Sequence, residues 1–422
     1  MTPSPPLPLS TRTLPVHTPM SQWAVDPGPG GELLLDGVRL STLAARVGTT
    51  PFYAYSRTLL RQRVAELRAA LPRQIKLHYA MKANPMPAVV QFMAGLVDGI
   101  DVASAGELKV ALDAGADPAE VSFAGPGKRD PELRQSVASG VLVNVESMRE
   151  LPVLARASQE LGLPARVAIR VNPDFELKGS GMKMGGGPKQ FGLDTELVPE
   201  ALLFAAREGL AFEGFHLFAG SQNLKAESIC EAQQKSYELA LRLAEHARTP
   251  VKFLNLGGGF GIPYFPGETR LDLAPIGANL QAIVERAASE MPQAGIVIEL
   301  GRYFVGEAGI YVTRIVDRKV SRGQVYLVCD GGLHHQLAAS GNFGQVVRKN
   351  YPVGIFPVRD DVRESSMVVG PLCTPLDLLA DRMALPQGEI GDLVVVFQSG
   401  AYGASSSPQA FLGHPAVVEV LV

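Results

Sequence analysis

The sequence predicts an α/β protein: a (β/α)8 barrel followed by a C-terminal antiparallel β domain. Three observations predict it. From about residue 75 to 300, eight short apolar runs alternate with stretches of helical periodicity. Eight strands with their helices over roughly 225 residues is the length such a barrel takes. After Arg302 the helical periodicity stops, and Val-rich runs separated by turn residues take over. A doubly wound open sheet would also alternate, but it carries no eight-fold count.

Residues 1–30 open on MTPSPPLPLSTRTLPVHTPMS, rich in Pro, Ser and Thr and without an apolar h-region. They read as a disordered tail rather than a secretory signal. ELLLDGVRLSTLAARVG (32–48) gives a strand, a turn and a short helix. That strand is a candidate to join the C-terminal sheet, so that residues 31–52 and 302–422 form one discontinuous β domain around a barrel at 53–301. The barrel strands are expected at IKLHYAM (75–81), GIDVA (99–103), EVSFAG (120–125), VLVNV (141–145), RVAIRV (166–171), AFEGFHLF (211–218), VKFLNLG (251–257) and GIVIEL (295–300). Between the second and third, Leu108, Ala111 and Leu112 share one helix face. The β domain is expected at residues 309–320, 324–332, 365–373, 392–402 and 415–422.

The bulk numbers exclude several classes. At 422 residues the chain is long enough for two or three domains. A net charge of −3 offers no basic field to nucleic acid or an anionic membrane. No apolar run approaches the ~20 residues that span a bilayer. Three cysteines, Cys230, Cys329 and Cys373, make no disulfide framework and fit a reducing, cytoplasmic setting. With no CxxC pair and no zinc-spaced cluster, no metal is expected, and His334–His335 reads as a solvated loop feature.

Several chemically capable residues fall at or just after strand ends, which in a barrel converge on one face. Lys82 follows the first strand in HYAMKANP. An amine that is desolvated there becomes a nucleophile suited to Schiff-base chemistry, although an isolated lysine more often snorkels to water. His78 on the same face reads equally well as a core histidine. Glycines in LNLGGGFGIP (254–263) let backbone amides approach a phosphate, and the loops after strands seven and eight are common phosphate sites. ELGR supplies Glu299 and Arg302, one acid for a pyridinium nitrogen and one guanidinium for phosphate, or else a structural ion pair. GFHLFAGSQ supplies His216, Phe218, Gly220 and Ser221. In the β domain, Cys373 is a candidate proton donor or a packed thiol, and Tyr402 a phosphate contact or an interface aromatic.

As a set in this order, HYAMKAN, DVASAGEL, HLFAGSQ, GGGFG, ELGR, GPLC and GAYG resemble the fold-type III pyridoxal-phosphate decarboxylases, the family of diaminopimelate and ornithine decarboxylases, over residues 33 to 422. The resemblance implies an alanine-racemase-like barrel, pyridoxal 5'-phosphate as cofactor, and a homodimer with shared active sites. It implies that Lys82 carries the cofactor as an internal aldimine and that Glu299 meets the pyridine nitrogen. Ser221, Gly258, Gly259, Arg302 and Tyr402 would then anchor it, with Cys373 delivered as catalytic thiol from the other subunit. Phe218 stands where the family usually stacks a histidine. Thr374 stands where it usually has an acid that meets the substrate's distal end, with Asp377 three residues on as a possible substitute. GPLCTPLD and the segment at 170–192 resemble a narrower branch, associated with exosortase clusters or with aminoacyl groups tethered to acyl carrier proteins. The expected reaction is decarboxylation of an amino acid or of such a tethered group. The rivals are a racemase of the same fold, which typically places arginine at the ring nitrogen, and an inactive regulatory homologue, which would not need Lys82, Glu299 and Cys373.

Overall fold

The computed structural model describes residues 7–8, 23–25, 31–175, 182–183, 185, 187–343, 345, 348–359 and 362–422. The chain divides into two compact units. One comprises Arg61–Ile262 and Arg270–Phe304; the other takes the chain up to Leu60, Pro263–Thr269 and Val305–Val422.

The first unit is a closed barrel. Its strands are Lys76–Ala80, Gly99–Val102, Val121–Phe123, Leu142–Val145, Arg166–Asn172, Ala211–Leu217, Phe253–Gly258 and Gly295–Leu300. Each pairs in parallel with the next, and the eighth pairs with the first, Val297 opposite Lys76. All eight lie on the runs expected from sequence. Seven helices follow strands one to seven, from Pro87–Ala94 to Ala274–Glu290, and a single turn, Arg302–Val305, follows the eighth. Helix starts are written locally. The Ser104 hydroxyl accepts from the Glu107 amide, and proline sits in the first turn of four of the other helices. Leu108 and Ala111 face inward as their spacing requires. Between strands six and seven a Cβ on Gly214 would lie 1.7 Å from the Phe253 carbonyl oxygen, so only glycine lets those strands pair.

The second unit is a β domain. Its main sheet contains Phe52–Tyr55, Gly309–Ser321, Gln324–Cys329, Val353–Phe356, Val362–Val369, Leu378–Pro386, Leu393–Val396 and Val418–Leu421. Pairing is mostly antiparallel. Two pairs are parallel: Val325–Val328 with Ser366–Val369, and Val418–Leu421 with Phe52–Tyr55. The strand that joins this sheet from just before the barrel is Phe52–Tyr55, which the sequence reading puts at the opening of the barrel. Leu33–Leu35 instead forms a separate small sheet with Ala24–Val25 and Val38–Arg39. Leu33 and Leu35 pack with Phe52, Ile310, Val395 and Phe397 in one core, and Trp23 joins it. So residues 23–25 of the expected tail are ordered by apolar burial, and Leu7–Pro8 pairs with Val362–Arg363. The rest of that tail lies outside the described residues.

The His334–His335 pair is not a solvated loop. Both rings are buried, their centroids 3.7 Å apart and their planes tilted by 42°, with His414 beside His334. His335 Nε2 lies 2.8 Å from the Pro415 carbonyl, and the Tyr53 hydroxyl donates to the His335 carbonyl at 2.7 Å. Burial and the neighbouring rings push His334 down to about 4. The sequence shows only two polar residues after a DGG turn; the turn folding inward is a tertiary event. Among the described residues, no helix is long and apolar enough to cross a membrane.

Candidate active site

Lys82 sits in a short turn, Met81–Ala83, at the C-terminal end of the first barrel strand. Its neighbours Met81 and Ala83 are buried and fix the turn, while its own side chain is 44% exposed. Gly301 lets the exit of strand eight press against it: a Cβ there would lie 2.9 Å from the Ala80 oxygen and from the Ala83 side chain. The close fit brings Lys82 Nζ to 4.0 Å from Glu299 Oε1. The amine also lies 5.7 Å from the Phe218 ring centroid, within cation–π range.

Glu299 is buried, and a buried carboxylate must be paired. His216 Nε2 stands 3.0 Å from its Oε2, and Asn255 Nδ2 donates at 3.4 Å. Burial alone would raise its pKa. His216, then Lys82 and Arg170, outweigh burial and hold the carboxyl well below the usual range. Arg170 is paired with Glu146 at 2.6 Å, and buried Lys128 with Glu150 at 3.1 Å. Asn144 donates to the Ser122 hydroxyl, which donates to Asp101. The barrel interior is therefore polar at one level on every strand. Sequence reading named His216 only as a possible neighbour of a cofactor and missed Asn255, Arg170 and Asp101. The available signal was a single polar residue at an inward position within each apolar strand.

The loops after strands six and seven interlock. The Asn223 amide donates to the Gly259 carbonyl at 2.9 Å, and the Gly261 amide to the Asn223 carbonyl at 2.8 Å. Gln222 exchanges two hydrogen bonds with the Ile262 backbone. A Cβ on Gly258 would lie 2.2 Å from the Glu299 carbonyl oxygen, and one on Gly259 2.4 Å from that of Gly220. These glycines are needed for chain-on-chain approach. They bring Gly220, Ser221, Gly258 and Gly259 together beside the turn that Arg302 begins. Met182–Lys183 pairs with Gly220–Ser221. Part of the surrounding 170–192 segment lies outside the described residues.

Cys373, Thr374, Asp377 and Tyr402 belong to the β unit. The Cys373 thiol is free and exposed, and Thr374 is half-buried. Asp377, expected as a possible substrate contact, is buried with both oxygens occupied. Oδ1 accepts the Leu333 amide at 2.6 Å and Oδ2 the Leu372 amide at 2.8 Å. Gly332 and Gly370 leave it the room: a Cβ on either would lie within 2.3 Å of its oxygens. Tyr402 is half-buried in left-handed backbone, φ 53°, its carbonyl accepting from the Ser406 hydroxyl. No group of three or more His, Cys, Asp or Glu able to hold a metal occurs among the described residues.

Residues 57–306 match the family model of the pyridoxal-dependent decarboxylases, described as their pyridoxal binding domain. The chain is 38% identical over 395 residues to L-glutamyl-(BtrI acyl-carrier protein) decarboxylase of Niallia circulans, covering 92% of each chain. It is 34% identical over 397 residues to diaminopimelate decarboxylase of Aquifex aeolicus, covering 93% of this chain and 91% of that one. Among solved structures, diaminopimelate decarboxylase of Helicobacter pylori complexed with L-lysine superposes with a TM-score of 0.79 at 28% identity, over 90% of this chain and 94% of that one.

The role of Asp377 is testable by stability. Asp377→Ala strands two buried amides, each worth about 1–3 kcal/mol. Urea unfolding should show a loss of several kcal/mol, whereas Thr374→Ala should stay within about 0.5 kcal/mol of wild type. Equal stability of Asp377→Ala and wild type would refute the structural role.

Proposed function

This chain belongs to the pyridoxal-dependent decarboxylases, and from that premise we propose a substrate: an aminoacyl group tethered to a carrier protein. The activity itself is that of a pyridoxal-phosphate-dependent carboxy-lyase acting on an amino acid or aminoacyl group. One observation carries the substrate reading. At the GPLC loop the position after the thiol is Thr374, and the nearest acid, Asp377, has both oxygens taken by backbone amides. A free diamine would bury a distal ammonium there without a carboxylate, at a cost of several kcal/mol. A tethered group has no such charge. The Niallia circulans relative, named for a carrier-bound glutamyl group, supports the same reading.

The barrel residues fit the cofactor. Lys82 supplies an amine for its aldehyde and Glu299 an anion for its ring nitrogen, and the closely packed Gly257, Gly258 and Gly259 carry backbone amides with no side chain over them for its phosphate. Gly220, Ser221, Gly258, Gly259, Arg302 and Tyr402 would hold the phosphate, and Phe218 would pack against the ring. When bound, the cofactor supplies an electron sink for the pair released as CO2 departs. Glu299, kept ionised by His216, would hold a proton at the ring nitrogen. Lys82 would hold the cofactor and, with its amine beside Glu299, could move a proton at the reacting carbon. Cys373, exposed and free, is the alternative donor to the α-carbon. We assign Cys373 to the partner's site in a homodimer, a reading the family resemblance supports. A reducing, cytoplasmic setting suits such a thiol, and cell fractionation checks it.

Three measurements test these assignments. Borohydride reduction of the loaded protein should trap the cofactor on Lys82, and Lys82→Ala should lose the adduct; an adduct at another lysine would refute the site. Mixing Lys82→Ala with Cys373→Ala should restore partial activity through hybrid dimers, and hybrids that form without activity would deny the shared site. In a CO2-release panel, carrier-bound aminoacyl substrate should exceed free meso-diaminopimelate, lysine and ornithine by at least about 100-fold in kcat/KM. Efficient turnover of free diaminopimelate would overturn the substrate while leaving the decarboxylase intact.

A further inference from the structure

His78 is a buried titratable group that the reaction above does not use. It lies on the first strand, four residues before Lys82, and only 2% of its surface reaches water. Its cross-strand partner in register is Glu299, so both side chains point into the barrel at one level. On the other side, Nδ1 lies 3.1 Å from Asp101 Oδ1. Asp101 is in turn held by the Ser122 hydroxyl. The fold clears space for this imidazole: a Cβ on Gly99 would lie 2.5 Å from His78 Nε2. The remaining charged neighbour is Glu120, 3.9 Å from Nε2, whose other oxygen is paired with Lys76; strand seven contributes only the Phe253 ring.

We propose that His78 is a positioning residue for the cofactor's ring nitrogen: as an imidazolium paired with Asp101, it holds the neighbouring Glu299 ionised and so keeps the proton at that nitrogen. The geometry supplies the sign. Two carboxylates lie within 4 Å of the imidazole, Asp101 at Nδ1 and Glu120 at Nε2, and Glu299 is its register neighbour on the next strand. Burial opposes its charge, but Asp101, with Glu120 and Glu299 behind it, outweighs burial and raises its pKa. In a desolvated interior one charge acts on its neighbours far more strongly than in water. Beside Lys82 and Arg170, Glu299 therefore has two imidazoles to rely on, His216 in direct contact and His78 through the field. A neutral residue at 78 leaves the first and removes the second.

The proposal rests on the cofactor reading above, and the test separates the two. In cofactor-free wild-type protein, ¹⁵N NMR of the histidine rings, assigned through His78's own backbone, should find the ring charged at pH 7.5. A neutral ring there overturns the proposal without any variant. In protein loaded with ring-¹⁵N pyridoxal phosphate, the nitrogen signal should report a protonated ring. In His78→Gln its deprotonation midpoint should fall by about one pH unit, a tenfold loss of proton affinity. Asp101→Asn should shift it the same way, and the double variant little further, since both act through one pair. Unchanged midpoints in folded single variants overturn the proposal. Wild-type protein that takes up no cofactor overturns the reading beneath it instead, with the charge of His78 still read from the cofactor-free protein.

Discussion

The buried carboxylate of Glu299 is the constraint from which the barrel interior follows. An anion inside a closed barrel is tolerable only when partners replace its water. Here they come from neighbouring strands: His216 from the sixth, Asn255 from the seventh, and Lys82 from the turn after the first. Each of those side chains is itself polar and buried or half-buried, and needs its own support. The demand passes around the ring to Arg170 with Glu146, to Asn144 with Ser122, and to Asp101 with His78. What would be apolar layers in a barrel of purely structural purpose is here a ring of polar side chains, one on each strand.

The glycines follow from the same constraint. Backbones must come close wherever a loop is to face the charged centre without a side chain in between. Gly258 meets the Glu299 carbonyl, Gly259 meets Gly220, and Gly301 meets the Lys82 turn. The side-chain amide of Gln222, in left-handed backbone, then pairs with Ile262 as a strand would. These contacts fix the two loops relative to one another before any ligand arrives, so little ordering entropy is left for binding.

Much of this was legible in the sequence. All eight barrel strands could be read because each is a short apolar run between helical periods. Lys82 and Glu299 stood out as charges at the ends of such runs. The β unit was read less completely. Val353–Phe356 is too short between prolines to register as a strand, and Leu378–Pro386 lacks alternation. The polar layer was invisible for a different reason. His78, Asp101, Ser122, Asn144 and Asn255 each look like an isolated exception within an apolar strand, and only closure of the barrel puts them at one height. The burial of His334 and His335, and the occupation of Asp377, are likewise tertiary facts: nothing local tells an inward turn from an outward one.

Asp377 separates fastening from contact. Its carboxylate clamps the GPLC loop by Leu333 and Leu372 and the Thr374 hydroxyl accepts the Leu376 amide, while the side chains of Cys373, Pro375 and Leu376 stand exposed beside that frame. A loop built this way is evolvable. Its exposed face can drift through many residue types while the clamp preserves the conformation, so single substitutions there need not pass through unfolded intermediates. Frame and face are thereby carried by different residues, so that one can change while the other keeps its stability.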